Sequence, residues 1–301
     1  MAVRTFFYLN TLRWTIRLPI KGALFGLAVL VVCFPYPRLL LRHIQHWSDP
    51  SVLVDPTDPA LQPLIEELRL KITDELTPKQ VLATVQEYVR GRIEYDWDWN
   101  TWGMADYLPT VGEAIALGRE DCDGQAVVAA SLLSHLGYDA ELVTDFAHVW
   151  VKTEVGETMG PGKHKAIIAS KKGLQVTFQA IGEVPRALGL GIAVFPFTRE
   201  LVIVFVMWLL LLRRHGGASC YVTTLLLFVV GLYVLREGGK VYLKPEVWKQ
   251  FSGVLLMSGG LACCFVWAGR NARRAGNEMS EIAGPSAGPS CKDLSKADVE
   301  G

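Results

Sequence analysis

Cys122 stands between Asp121 and Asp123 at the head of an apolar run, and His148 opens the alternating stretch HVWV. A thiol and an imidazole are the two halves of a nucleophile–base pair: the imidazole takes the thiol proton and later returns it to a leaving amine. Cys122 is the one cysteine between residues 35 and 186, so that region has no disulfide partner for it and no CxxC for zinc. A buried cysteine acting as a small hydrophobe is the competing reading. Three features favour chemistry. Asp121 reads as a helix N-cap, which puts Cys122 in the first turn, where free amides and the helix dipole favour a thiolate. Its neighbours Asp121, Asp123 and Gly124 are not apolar. Those two acids oppose a thiolate, so a cationic partner is expected, and His148 in its protonated form is the candidate. A metal reading for Asp121, Cys122, Asp123 and His148 is disfavoured, because the tight Asp-Cys-Asp spacing cannot present three side chains to one ion on a helix; no metal is expected, and no cofactor.

Other histidines fit less well. His135 lies on the same expected helix, about 20 Å from Cys122 along the axis, and suits a C-terminal dipole partner. His164 follows GPGK in a loop with nothing to orient it.

The elements that would position the pair follow from pattern. Asp58-Pro59 opens a helix with Leu61, Leu64, Ile65, Leu68 and Ile72 at helical spacing. TPKQ at 77–80 and TVGE at 110–113 are capping boxes, and Gly118 ends the helix that follows the second. The cysteine helix is expected from Cys122 to about Leu136, closed by Gly137. Strands are expected at 139–144, 149–155, 165–170 and 174–181, the last two joined at KKG. Helices followed by an antiparallel sheet predict an α+β domain.

The segment REDCDGQAVVAASLLSHLGYDAELV with HVWV, and the upstream VQEYVRGRIEYDWDW, resembles the transglutaminase-like superfamily over about Thr77–Val155. That resemblance implies a papain-like core with Cys122 as nucleophile and His148 as base. It also implies an Asp in a strand soon after the histidine, and here the sequence departs from the pattern. Gly160-Pro161 stands where Asp-Pro would be expected, and no Asp, Asn or Glu occurs from Thr158 to Phe178. Thr177, Gln175, Gln179 and Asp145 are the candidates to orient the imidazole in its place.

Half the residues are hydrophobic and the formal charge is zero, which argues for a lipid bilayer and against nucleic acid as partner. Four apolar segments are expected as spans: Gly22–Phe34 extended back to about Trp14, Phe195–Leu212, Ala218–Leu235 and Phe251–Ala268. Four organisational units follow: a basic flank and signal anchor (1–34), the transglutaminase-like domain (35–186), three transmembrane helices (187–269) and a polar, disordered tail (270–301). Basic residues flank the spans so that 35–186 is expected outside the cytoplasm, although the 236–250 loop carries four basic residues on the opposite side. No GxSxG, HExxH or P-loop is present. Two functional readings remain. One is a membrane-anchored cysteine hydrolase (protease or amidase) or acyltransferase acting on peptide or carboxamide substrates. The other is a catalytically inactive fold serving as a membrane-tethered binding or assembly module.

Overall fold

The computed structural model describes residues 12–162, 165–170, 173–177, 184–212, 218–240 and 246–282, with side chains as far as residue 266. The first helix, α1 (Trp14–Cys33), is apolar and has no buried residue, as a helix facing lipid would. Helix α2 (Pro37–Ser48) follows, then α3 (Gln62–Arg69), which is preceded by a 3-10 turn capped by the Asp58 side chain. Leu61, Leu64, Ile65 and Leu68 are buried as their spacing predicts. Helix α4 (Pro78–Arg92) begins at the Thr77–Gln80 capping box and buries Val81, Leu82, Val85 and Val89.

A short parallel pair, β1 (Glu94–Tyr95) with β2 (Arg119–Glu120), brackets α5 (Asp98–Thr101) and α6 (Val111–Leu117). The second capping box starts α6, and Gly118 ends it at φ 70°, a conformation costly for any residue with a Cβ. Helix α7 (Cys122–His135) carries the candidate nucleophile. Its residues from Asp123 to Leu133 are all buried, so it must be apolar on every side beyond its first turn.

Among the described residues, five strands form an antiparallel sheet in the order β5-β4-β3-β6-β7. They are β3 (Glu141–Thr144), β4 (Val149–Thr153), β5 (Gly156–Thr158), β6 (Ile167–Ser170) and β7 (Gly173–Val176). Helix α7 packs on β3 and β4, and one core of α3, α4, α7 and sheet residues joins helices to strands. The domain is α+β, as expected. Strand β5 has no counterpart in the sequence expectation. It is three residues long and pairs only with β4, too short to show an alternation. Residues 178–181 of the last expected strand lie outside the described residues.

Three helices among the described residues are long and apolar enough to cross a membrane, and four if one bent pair is counted as a span. They are α1, α10 (Ala218–Gly239) and α11 (Val247–Ile282); the bent pair is α8 (Val184–Val194) with α9 (Phe197–Leu211). The expected span at Phe195–Leu212 is therefore corrected: it is the second arm of a helix broken by 108°. The break falls before Pro196, which cannot donate to the preceding turn. It frees carbonyls that lipid cannot satisfy. Arg236 of α10 fills that need, donating to the Ile192 and Phe195 carbonyls at 2.8 and 2.7 Å and pairing with Glu200 in the first turn of α9. Helix α11 runs to Ile282, so the expected tail beginning at residue 270 starts as helix; residues 283–301 lie outside the described residues.

Candidate functional site

The N-terminus of α7, the start of β4 and the residue after β5 meet at one small cavity. It has a volume of about 250 Å³ and is lined by Arg90, Tyr95, Cys122, Gln125, His148 and Met159. The two residues singled out by type and spacing therefore share a pocket. No hydrogen bond joins the Cys122 sulfur to the His148 ring among the described residues.

Each half is held by a different device. Asp121 caps α7, its Oδ1 accepting from the Asp123 amide at 3.1 Å. That leaves the Cys122 N–H without a partner among the described residues. Gln125, one turn on, donates to the Ile93 carbonyl at 3.0 Å and ties the helix start to the α4–β1 connection. His148 stacks on Trp150, with ring centroids 6.1 Å apart and planes 13° apart. Trp150 is fully buried, so the ring leans on a fixed surface.

The expected third acid is absent, and a main-chain carbonyl stands in its place. His148 Nε2 lies 2.9 Å from the Met159 carbonyl oxygen. A carbonyl only accepts, so Nε2 carries the proton and Nδ1 is the acceptor of the neutral ring. Met159 has φ 66°, an uncommon conformation for a residue with a side chain. Two contacts hold it there. Gln86 Oε1 accepts from the Met159 amide at 2.8 Å and from the Thr158 hydroxyl at 3.3 Å. Gly160 follows at φ 76°, and a Cβ there would lie 3.4 Å from His148 Nε2 and 3.3 Å from Arg90. Gln86 and Met159 were missed by sequence reasoning. One signal existed: Gln86 is a polar residue beside Leu82, Val85 and Val89 on the buried face of its helix.

Of the other candidates to orient the imidazole, Gln175 and Thr177 lie far from it and Asp145 is engaged with other groups. Gln175 and Thr177 belong to β7 and its end, and β3 and β6 lie between β7 and β4, a separation of about 14 Å at ordinary strand spacing. Asp145 is fully buried, but its carboxylate accepts from the Ala147 amide at 3.1 Å and pairs with Arg186 at 3.4 Å. It braces the turn before His148 and ties it to α8. Gln179 and His164 lie outside the described residues. His135 sits at the far end of α7 with Nδ1 3.3 Å from the Pro56 carbonyl.

The electrostatics differ from the expected thiolate–imidazolium pair. Burial, then the nearby Asp121, push the Cys122 thiol well above its ordinary range, with Asp106 and Asp98 adding to the effect and the Val149 amide opposing it. The Cys122 sulfur therefore favours the neutral thiol. Carboxylates crowd the helix start beside Cys122. Asp98, Glu120, Asp121 and Asp123 each offer an oxygen, all within 4.8 Å of one another. Burial first, then neighbouring acids, raise Asp98 and Asp123 far above the carboxylate range, and burial lifts Glu120 to about 8. Glu120, Asp121 and Asp123 are near neighbours in sequence; Asp98 arrives from α5, which no local spacing shows.

A scan against family models, a search of curated proteins and a search of solved structures gave no match to this chain.

Proposed function

We propose that this chain is a membrane-anchored transglutaminase-like cysteine hydrolase or acyltransferase with a papain-like core, acting on peptide or carboxamide carbonyls. The observation that carries the reading is the His148–Met159 hydrogen bond beside Cys122 in one pocket. It supplies what the missing acid would supply, a fixed tautomer with Nδ1 free to act as base.

The raised thiol makes the chemistry general-base rather than ion-pair. As the sulfur attacks the carbonyl carbon, its proton passes to His148 Nδ1. The oxyanion meets the unpartnered Cys122 N–H. Tyr95 is the second donor: it lines the same pocket, and burial raises its hydroxyl, so it keeps its proton. His148 then protonates the leaving amine, the C–N bond breaks, and a thioester remains. Water deprotonated by the same nitrogen releases the acid, or an amine takes the acyl group.

The 35–186 domain lies outside the cytoplasm in this reading. Iodoacetamide alkylation of Cys122 as a function of pH, in membranes, tests the reading. The parent should react faster than His148→Ala at every pH below the thiol pKa. Coincident curves sink the hydrolase and favour the inactive binding module, which the raised thiol also suits.

A further inference from the structure

Four buried or half-buried acids converge beside the nucleophile, and among the described residues none of them forms an ion pair with Lys, Arg or His. Charge alone does not make such a cluster a site. The disposition of the individual oxygens does. Each carboxylate has one oxygen engaged by an N–H donor: Asp98 Oδ2 by the Tyr107 amide at 2.6 Å, Glu120 Oε1 by the Trp102 indole at 2.7 Å, Asp121 Oδ1 by the Asp123 amide at 3.1 Å, and Asp123 Oδ1 by the Gly124 amide at 2.6 Å. These donors fix the orientation of the carboxylates. The second oxygens of Asp98 and Glu120, Oδ1 and Oε2, are buried and have no hydrogen-bond partner. Both side chains are almost wholly buried, at 1 % and 0 % exposure. An ionised oxygen left so is among the most costly arrangements in a folded chain. Gly124 makes room for it, since a Cβ there would lie 2.8 Å from Glu120 Oε2 and 2.6 Å from its Cγ.

We propose that Asp98, Glu120, Asp121 and Asp123 bind one hard divalent cation, Ca²⁺, against the first turn of α7. Oxygen-only donors select this class over zinc or copper. Oxygens on opposite sides of Ca²⁺ stand about 4.8 Å apart at ordinary Ca–O lengths, and the four acids fall within that span. Asp121 is half-buried and marks the entrance, where waters complete the shell. A cation there removes most of the negative charge facing the Cys122 sulfur. That this matters for reactivity rests on the hydrolase reading; that the cation binds does not.

The test uses the full-length chain in detergent, stripped with chelator and then given CaCl2, MgCl2, MnCl2 or NaCl at matched ionic strength. Ca²⁺ should raise the unfolding temperature well beyond the NaCl control, and Tb³⁺ bound in its place should luminesce on excitation of Trp102, which touches Glu120. Glu120→Gln and Asp98→Asn should abolish both responses while leaving the chelated protein about as stable near pH 7, because each amide replaces an acid that burial keeps protonated there. Absence of a Ca²⁺-specific shift in the parent, or an equal shift in both variants, overturns the site.

Discussion

Two places in this chain bury carboxylates, and they handle the charge in opposite ways. At the bend between α8 and α9, Glu200 is buried against Arg236, whose guanidinium also satisfies the carbonyls freed by the break. At the start of α7, four acids meet and the described residues offer them hydrogen-bond donors but no cation. The first arrangement is complete within the chain. The second is a set of ligand oxygens lacking a positive centre. Burying acid is thus not by itself informative; whether a counter-charge arrives with it is.

The sharpest way to break this comparison is to remove the internal cation. Arg236→Met strands Glu200 in the bundle and should cost about 3–5 kcal/mol, with Glu200→Gln in the same chain recovering most of it. No such loss is expected at the other region, where Glu120 already holds its proton near pH 7 and Glu120→Gln should leave the chelated protein about as stable. Paired thermal melts of the two variants check this; a loss at both places would mean that the α7 acids are already compensated.

Next in size is Gln86→Leu. It leaves the Met159 amide unpaired and frees the carbonyl that fixes the His148 tautomer, a loss of about 1–3 kcal/mol. A pure packing role would lower stability alone. The positioning role predicts in addition a slower Cys122 alkylation than in the parent at the same pH, restored in part by Gln86→Asn.

The pH dependence of the melt reads the acids at the start of α7 directly. Glu120 holds its proton in the folded state up to about 8, against 4.5 when unfolded. The folded chain therefore binds more protons between those values, and its contribution to stability is lost as pH rises from 4.5 through about 8. Melts in chelator should fall over that window. Melts in Ca²⁺ should fall less, since the cation binds the ionised form. Parallel curves would show that no cation competes with the protons.

The smallest expected effect separates the two accounts of the imidazole's partner. Gln175→Ala, on the exposed outer strand, should change stability by less than about 0.5 kcal/mol and leave the alkylation curve where it was. A shift in that curve would return the orienting role to the last strand and remove it from the Met159 carbonyl.

Local sequence determined much of the scaffold. The capping boxes at Thr77 and Thr110, the Asp121 cap and the stop at Gly118 were legible because each depends on residues within one turn of one another. Cys122 and His148 were legible as a candidate pair because few residue types do this chemistry. The apolar segments were legible from length and composition, although the break before Pro196 makes one expected span the second arm of a bent pair.

What only the tertiary structure decided depends on groups distant in sequence or on the main chain itself. The partner of His148 is a carbonyl, which every residue carries and no residue type announces; only the pairing of β5 with β4 and the grip of Gln86 aim it. Asp98 from α5 joins the sequence neighbours Glu120, Asp121 and Asp123 only because the parallel β1–β2 pair lays the chain leading into α5 beside the helix start. Sign of charge could be read along the chain, but the distance between charges, which sets their energy, exists only once the chain has folded.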